Sequence, residues 1–246
     1  MKISSSFLLP CVALFTLTAC APSESSHAAP ILLFNGTGTS PNDVKAVEAI
    51  LKSRGLDYGT VDSRRLNRMT PSQLAACQLL IVPGGNYITM GNSLTPDAAT
   101  TIRNAVQGGL NYLGICAGGL LAGKAACNSL NLTSGVRFGF YAEVNRRVHK
   151  AAVAITGVGT PAVEQYWEDG PEFTGWGFVV GRYPDGTPAV VEGKSGEGWV
   201  ILCGVHPEAP ENWRRGMIFT TPASAAHALA GTLIDAALRG TELPHF

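Results

Sequence analysis

The sequence predicts an α/β protein in which helices cover both faces of a mostly parallel sheet, with an antiparallel hairpin region inserted late in the chain. Short continuous apolar runs alternate with amphipathic helical patterns, which is typical of buried parallel strands. The helical patterns begin at repeated pairs of a hydroxyl residue and proline. Between residues 133 and 191 the pattern changes to glycines, aromatics and short alternating segments, which favours hairpins.

The elements follow one another along the chain in an order that fits this prediction. Apolar runs predict strands at residues 31–34, 56–61, 79–82 and 110–115, and residues 199–205 return as a core strand. Asp43 stands at the capping-box position of the first helix. The Thr95 helix extends to about Gln107, and Gly240 follows the last helix. The predicted helix starts are Ser40-Pro41, Thr70-Pro71, Thr95-Pro96 and Thr221-Pro222.

Residues 1–19 have the pattern of a signal peptide. An apolar stretch too short to span a bilayer ends in Leu17-Thr18-Ala19-Cys20, which matches a bacterial lipobox. We expect cleavage before Cys20, lipid on that cysteine, a flexible tether over residues 20–29 and the folded domain over residues 30–246. The protein would then be lipid-anchored in the cell envelope and face the periplasm, and Ala21 favours the outer membrane. The alternative is an ordinary secretory signal in which Cys20 is incidental.

Charge and composition limit the partners. The chain has 18 basic and 18 acidic residues and no basic run, so we expect no nucleic acid partner. No second hydrophobic span follows the signal, so the lipid would be the only membrane contact. The sequence does not define the oligomeric state. Cys127 could pair with Cys203 or with Cys77 in an oxidising compartment, or all three could be small buried thiols.

Two short segments carry the chemistry. Residues 114–118 read Gly-Ile-Cys-Ala-Gly at the end of a predicted strand, and residues 204–208 read Gly-Val-His-Pro-Glu. A nucleophile between small residues on a strand-to-helix turn is the pattern of a nucleophile elbow. Cys116 is the candidate nucleophile, with His206 as base and Glu208 as the residue that orients it. A helix N-terminus and a nearby imidazolium would both favour the thiolate form of Cys116.

Four distinctive turns follow predicted strands, and they should meet. Because ligands of open α/β sheets bind at the carboxyl ends of the strands, we expect these turns to line one site. Backbone N–H groups of Ala117 and of Gly85 or Asn86 would form an oxyanion hole. The alternative for Gly84-Gly85 is a plain structural turn. The four turns begin at Asn35, Pro83, Cys116 and His206.

These residues resemble the biotin–protein ligase N-terminal domain family, within the class I glutamine amidotransferase-like superfamily. The resemblance rests on residues 34–40, 82–85, 112–118, 166–173 and 204–208. It implies a flavodoxin-like three-layer sandwich over residues 30–246 and a Cys-His-Glu triad. No biotin-activation signature is present, so we do not expect a biotin ligase. The family commonly carries paired glycines near Tyr166, and Asp169-Gly170-Pro171 departs from that pattern.

The remaining positions are candidate contacts to a substrate. Asn35, Gly36 and Tyr166 are expected to bind it, and Tyr87 and Glu164 are candidate wall residues with packing or a solvated edge as the alternative. The Gly36-Thr37-Gly38 turn has Pro41 where a dinucleotide loop needs its third glycine, so we expect no cofactor. We expect no metal either.

Two classes of function fit the sequence. The first is an amidase, glutaminase-like or small-peptidase activity that acts on a carbon–nitrogen bond of a small amide or peptide. Free hydrolysis is favoured over amidotransfer because the chain carries no synthetase domain. The second is a non-catalytic module that binds or senses a small ligand on the same scaffold.

Overall fold

The computed structural model of this chain describes residues 29–141, 148–157 and 159–246. The predicted signal peptide, the predicted lipidation site Cys20 and the predicted tether up to residue 28 lie outside the described residues. None of the helices in the described ranges is long and apolar enough to cross a membrane.

Five strands form the parallel half of the sheet. Their order is β2-β1-β3-β4-β9, and every neighbouring pair in this half is parallel. Each of these strands coincides with a predicted apolar run, and its first residue lies within two positions of the predicted start. The strands are β1 (Ile31–Phe34), β2 (Tyr58–Val61), β3 (Leu79–Val82), β4 (Asn111–Ile115) and β9 (Gly198–Cys203).

Four further strands extend the same sheet in the antiparallel sense. The order continues from β9 as β8-β7-β5-β6, which makes nine strands within the described residues. The α/β fold with a mostly parallel central sheet and an antiparallel hairpin region is therefore confirmed. The strands are β5 (Lys150–Gly157), β6 (Gly159–Glu168), β7 (Phe178–Arg182) and β8 (Pro188–Ser195).

Helices lie on both faces of the sheet and make it the middle of three layers. Successive side chains of a strand point to opposite faces. Leu33 of β1 therefore packs with α1 and α7 in one core, while Phe34 packs with α3 and α5 in the other. The helices are α1 (Pro41–Ser53), α2 (Ser63–Leu66), α3 (Pro71–Ala75), α4 (Tyr87–Ser93), α5 (Pro96–Gln107), α6 (Ala117–Ala122) and α7 (Ala223–Arg239).

Three of the four predicted helix starts are confirmed. Ser40, Thr70 and Thr95 are N-cap residues whose side chains accept from the backbone N–H three residues on. Thr221 is not, because α7 begins one residue later with Pro222 at the N-cap and no side-chain cap. The Thr221 hydroxyl instead accepts from the N–H of Glu164 at 3.1 Å, so it ties α7 to β6.

The last residues of the chain pack against the sheet through a buried carboxylate. Glu192 in β8 is 0% exposed. Its Oε1 accepts from the N–H of Leu243 at 2.7 Å and lies 2.6 Å from Nε2 of His245. Its Oε2 accepts from Nε1 of Trp199 at 3.2 Å. The N–H of Phe246 donates to a β7 carbonyl at 3.1 Å, so the tail is bonded to both β8 and β7.

The cysteines of the described residues are free thiols, so neither disulfide alternative forms here. Burial raises the pKa of Cys203 to about 12. Burial also raises the pKa of Cys77 and that of Cys127. These three thiols stay protonated at neutral pH, which makes them poor nucleophiles.

Candidate active site

The carboxyl ends of four neighbouring parallel strands open onto one cavity of about 570 Å³. Strands β1, β3, β4 and β9 are adjacent in the sheet, so the turns that follow them lie at one edge, as predicted. The cavity is lined by Ser40, Asp43, Gly85, Asn86, Tyr87, Ile88, Cys116, Ala117, Leu120, Phe140, Glu168, Asp169 and His206. A second cavity of about 560 Å³ lies beside β2 and shares none of these residues.

Cys116 occupies a strained turn between β4 and α6. Its backbone has φ 49° and ψ −109°, a conformation that residues other than glycine rarely adopt. The Cys116 N–H donates to the Cys203 carbonyl at 2.7 Å, which anchors the turn to β9. A Cβ at position 118 would collide with the Val82 carbonyl, and one at position 114 would lie 2.6 Å from the Gly118 carbonyl oxygen. The small residues around Cys116 are therefore required by close backbone approach.

The thiol of Cys116 lies between the two halves of the sheet. The side chain is 7% exposed, and its Sγ lies 3.7 Å from the backbone carbonyl of Glu168 at the end of β6. Cys116 and His206 line the same cavity, and they lie close enough together that Cys116 raises the pKa of His206. The predicted nucleophile and base are thus brought together.

His206 is held by its backbone and by aromatic neighbours. Its N–H donates to the Tyr166 carbonyl at 2.8 Å, which joins the turn after β9 to β6. The rings of Tyr166 and Trp213 pack against the imidazole at centroid distances of 5.8 and 5.9 Å. The imidazole is 4% exposed, so its orientation is set by protein contacts and not by solvent.

Two carboxylates lie against the same nitrogen of His206. Nδ1 lies 3.0 Å from Oε1 of Glu208 and 3.1 Å from Oδ1 of Asp43. Glu208 takes the predicted position. Asp43 was expected only at a capping box, but its carboxylate turns to His206, and the cap is made by Ser40, which accepts the Asp43 N–H at 3.4 Å.

Burial and mutual charge shift the pKa values of His206, Glu208 and Asp43 in different directions. Burial alone would lower the pKa of His206, but Cys116, Glu208 and Asp43 raise it well above its ordinary value. Burial raises the pKa of Glu208 against the opposing effect of His206. Burial also favours a raised pKa for Asp43, but the adjacent His206 imidazole, 3.1 Å away, lowers it below the ordinary value. Asp43 is therefore the carboxylate that carries the negative charge most readily.

The absence of a side chain at Gly84 makes room for this cluster. A Cβ at that position would collide with Oδ1 of Asp43 and lie 2.7 Å from Cε1 of His206. The Pro83-Gly84-Gly85 turn therefore has a packing role as well as its position at the cavity. Neither Asp43 nor this role of Gly84 was predicted, although an acidic first turn after β1 at the active edge is a signal that could have indicated Asp43.

The predicted oxyanion donors divide into two groups. The N–H groups of Gly85 and Ala117 donate to no group within the described residues, so they remain candidates. The N–H of Asn86 donates to the Gly38 carbonyl at 2.8 Å, and its side chain caps α4 by accepting from Thr89 at 2.9 Å. Asn86 is therefore not an available backbone donor, which corrects the prediction for this residue.

Asn35 and Gly36 do not line the cavity, in contrast to the prediction. The turn after β1 bends first towards β2, where the N–H of Asn35 donates to the Val61 carbonyl at 2.8 Å. Gly36 packs against Phe34 and Ser63. This turn reaches the cavity only further along, through Ser40 and Asp43.

Tyr166 lies behind the catalytic candidates and does not line the cavity. It is 4% exposed, and its hydroxyl donates to Oε2 of Glu168 at 2.5 Å. Of the two further wall candidates, Tyr87 lines the cavity. Glu164 does not, because its carboxylate accepts from the N–H groups of Thr220 and Thr221.

The wall opposite the elbow comes from the antiparallel region. Phe140, Glu168 and Asp169 line this side. Oε1 of Glu168 lies 3.0 Å from Nζ of Lys150, and Oδ1 of Asp169 lies 2.9 Å from Nδ1 of His149. The sequence offers no periodic signal for this wall, because its residues meet only when the hairpins fold over the sheet.

A metal ion would have one candidate ligand set within the described residues. Asp43, His206 and Glu208 offer ligand atoms that lie within 4.8 Å of one another. The 3.0 and 3.1 Å separations from Nδ1 are those of hydrogen-bonded or charge-paired groups. We therefore interpret the cluster as an imidazole between two carboxylates.

Residues 29–134 match the family model described as "Biotin-protein ligase, N terminal". The match covers less than half of the chain and includes Asp43, Gly84 and Cys116. His206 and Glu208 lie outside it. No curated protein matches the chain.

Solved structures share the fold at low sequence identity. A glutamine amidotransferase is 21% identical with a TM-score of 0.57, over 82% of this chain and 99% of that one. A cytoplasmic protein from Salmonella typhimurium is 13% identical with a TM-score of 0.54, over 84% of this chain and 98% of that one. An exo-β-1,4-mannosidase from Opitutaceae bacterium strain TAV5 is 15% identical with a TM-score of 0.53, over 82% of this chain but only 35% of that enzyme. These likenesses show the amidotransferase-like, flavodoxin-type fold.

Proposed function

We propose that the protein hydrolyses a carbon–nitrogen bond of a small amide or peptide through a thioester on Cys116. The observation that carries this proposal is a strained cysteine at φ 49° that lines the same cavity as a buried histidine. A nucleophile, a base and a group that orients the base are the parts that acyl transfer needs. The amidotransferase-like fold supports an amide-related role at the same sheet edge.

The proposed reaction proceeds in two halves. The Cys116 thiolate forms a C–S bond to the amide carbonyl carbon, and the carbonyl electron pair moves to oxygen. The oxyanion then collapses, the C–N bond breaks, and the leaving amine takes the proton from the His206 imidazolium. Water then attacks the thioester carbonyl while His206 takes one of its protons. Cleavage of the C–S bond releases the carboxylic acid and restores the thiolate.

The proposed oxyanion hole is made by backbone groups. The N–H groups of Gly85 and Ala117 lie on the turns after β3 and β4, and both residues line the cavity. Donors directed at the developing oxyanion stabilise the transition state most effectively where water is excluded. The low exposure of Cys116, at 7%, satisfies that condition.

The cavity supports a substrate in the class of small amides or short peptides. Its volume of about 570 Å³ lies in the range of small-molecule sites. Tyr87 and Phe140 supply an aromatic side, while Glu168 and Asp169 supply a polar side. Free hydrolysis is proposed in preference to ammonia transfer, and biotin ligation is not proposed.

The proposed location is the bacterial cell envelope, with Cys20 carrying the lipid. This part rests on the lipobox sequence alone. A Cys20→Ser variant should move the protein from the membrane fraction to the soluble fraction after cell breakage. Equal partition of the variant and the unchanged protein would contradict a lipid anchor on Cys20.

The proposed activity is tested by the pH dependence of Cys116 alkylation with iodoacetamide, read by mass spectrometry. We expect rapid labelling below neutral pH that slows in His206→Ala and disappears at this position in Cys116→Ala. Cys77→Ala is the matched control, because burial raises the pKa of the Cys77 thiol and its removal should leave the profile unchanged. A Cys116 that reacts no faster than a free thiol, with or without His206, would contradict the proposal.

A non-catalytic ligand-binding module is the second candidate. It is favoured by the position of the thiol, which lies 3.7 Å from the Glu168 carbonyl, where a protonated thiol can donate to it. In that case Cys116→Ala would bind a cavity ligand as well as the unchanged protein. Turnover of an amide that is lost in Cys116→Ala would overturn this second reading.

A further inference from the structure

His206 has one more carboxylate neighbour than the predicted triad requires. Nδ1 is a single nitrogen, yet Glu208 Oε1 lies 3.0 Å and Asp43 Oδ1 lies 3.1 Å from it. One N–H makes a well-directed hydrogen bond to one acceptor, and a second acceptor shares it only at poorer geometry. The bond to Glu208 has hydrogen-bond geometry, whereas Oδ1 of Asp43 has no hydrogen-bond partner within the described residues. Asp43 therefore faces the imidazole mainly as a charge.

The fold places a negative charge at Asp43 by several independent means. Asp43 lies in the first turn of α1, a helix of 13 residues whose N-terminus favours anions. The side chain of Ser40 caps this turn. Gly84 leaves the space that the carboxylate occupies. A buried charge is costly unless it is paired, and the group that faces this one is His206.

The groups around His206 define its charge balance. Asp43 faces it from α1, Glu208 from its own turn after β9, and Cys116 from the turn after β4. Tyr166 packs from β6, and burial raises its pKa to about 12. Cys203 of β9 lies close enough to interact through charge, but burial raises its pKa to about 12. Near neutral pH the groups able to balance an imidazolium are therefore Asp43, Glu208 and a Cys116 thiolate.

We propose that Asp43 is a positioning residue of this site, which acts with Glu208 to hold His206 as an imidazolium and thereby keeps Cys116 ready as a thiolate. The inference rests on the proposed function. In it Glu208 receives the Nδ1–H and fixes the ring, while Asp43 supplies a second negative charge. The site would then have a carboxylate on each of two elements, α1 and the turn after β9.

The first test compares Asp43→Asn with Asp97→Asn. Asparagine keeps the shape of the side chain and removes the charge. Asp97 is the matched control because it lies in the first turn of α5, after a Thr-Pro start like the Ser-Pro start of α1. We expect Asp43→Asn to lower the rate of Cys116 alkylation at pH 6 by up to about tenfold, because one unit in the imidazole pKa changes the thiolate–imidazolium population by at most that factor. Identical rates of Cys116 alkylation at pH 6 in the two variants, with both folded, would overturn the proposal.

The second test measures the protonation of the His206 imidazole directly and does not depend on thiol reactivity. The imidazole signals of His206 are followed against pH by NMR and assigned by their loss in His206→Gln. In Glu208→Gln, where Asp43 remains, we expect His206 to stay protonated above pH 6.5, the ordinary value. A titration at or below 6.5 in that variant would show that Asp43 does not hold the charge. This readout also covers the case in which Asp43→Asn does not fold.

The two tests separate the failure of this inference from the failure of the proposed function. A slow-reacting Cys116 in the unchanged protein contradicts the hydrolase. A His206 that titrates normally in Glu208→Gln contradicts the role of Asp43 even if Cys116 is reactive. A protonated His206 beside an unreactive Cys116 would leave Asp43 as a positioning residue of a site with no hydrolase activity.

Discussion

The parallel and antiparallel halves of the sheet contribute to the cavity in different ways. The parallel half places Cys116 and His206 directly at the ends of β4 and β9. The antiparallel half contributes Glu168 and Asp169 at the end of β6, and both of these carboxylates are paired with neighbouring bases. The candidate reactive groups thus come from backbone positions that the topology defines. The wall comes from side chains whose positions depend on hairpin packing.

Individual glycines near the cavity differ in how much change their backbone can accept. Around Cys116 and Gly84 an added methyl group would meet backbone or buried carboxylate atoms. In the antiparallel region, a Cβ at Gly170 would collide with the Gly204 carbonyl oxygen, whereas Gly139 has only an ordinary contact of 3.6 Å to Glu172 Oε1. We therefore expect an added methyl group to be tolerated at Gly139 but not at Gly84.

The largest effect is expected when a methyl group is added on the parallel side. Gly84→Ala should cost about 2–3 kcal/mol of unfolding free energy, because it overpacks the Asp43–His206 contact. It should also slow Cys116 alkylation at pH 6.5. Gly139→Ala is the control and should change stability by less than about 0.5 kcal/mol. Urea unfolding measures both, and equal losses would remove the contrast between the two glycines.

The parallel half of the fold could be predicted well from the sequence, for a physical reason. Buried parallel strands are continuous apolar runs, and the caps at Ser40, Thr70 and Thr95 are local hydrogen bonds. The elbow was also recognisable, because its small residues are local requirements of the turn. Glu208 was predicted because it lies two residues from His206.

The rest of the site depends on contacts between residues distant in sequence. Asp43 and His206 are brought together by the neighbouring turns, and neither segment alone indicates the other. The predicted contact at Asn35 was wrong because the turn after β1 first bonds to the Val61 carbonyl. Asn86 was wrong as a donor because the Gly38 carbonyl already receives its N–H.

The second expected effect is a pH-dependent loss of stability that comes from His206. The pKa of His206 is raised well above 6.5 in the folded protein. Its stabilising contribution is therefore complete below pH 6.5 and is lost as pH rises through the folded value. Above pH 6.5, and until His206 has lost its proton in the folded protein, the unchanged protein should lose up to about 1.4 kcal/mol per pH unit, and His206→Gln should have a flatter slope. Chemical unfolding at several pH values checks this, and parallel slopes would contradict it.

A smaller effect is expected at the link between the two halves. Tyr166→Phe removes the hydroxyl that donates to Glu168 but keeps the backbone carbonyl that holds His206. We expect a loss of about 1 kcal/mol of unfolding free energy with an unchanged pH profile of alkylation. Tyr58→Phe, whose hydroxyl lies close to the exposed Lys52, is the control. A shifted alkylation profile would mean that the hydroxyl influences the thiol site as well as the wall.

The smallest effect on stability is expected at the exposed wall. Phe140 is 46% exposed and lies edge-on to Tyr87 at 6.4 Å, so Phe140→Ala should cost less than about 0.5 kcal/mol. It should nevertheless speed labelling of Cys116 by a bulky maleimide while leaving labelling by iodoacetamide unchanged. Phe178→Ala, 58% exposed and outside the cavity, should change neither rate. If the two variants behave alike, Phe140 does not limit access.

The buried Glu192 has a practical consequence for handling the protein. Residues 243–246 look dispensable in the sequence, yet they supply two of the partners of this carboxylate. In a trimmed chain, Trp199 would be the remaining hydrogen-bond donor to the Glu192 carboxylate. Glu192 lies in β8, which pairs directly with β9, and β9 is the strand that precedes His206. Affinity handles and fusion partners therefore belong at the opposite end of the domain. Proteolytic clipping after residue 242 would be a sensitive early sign of a degraded preparation.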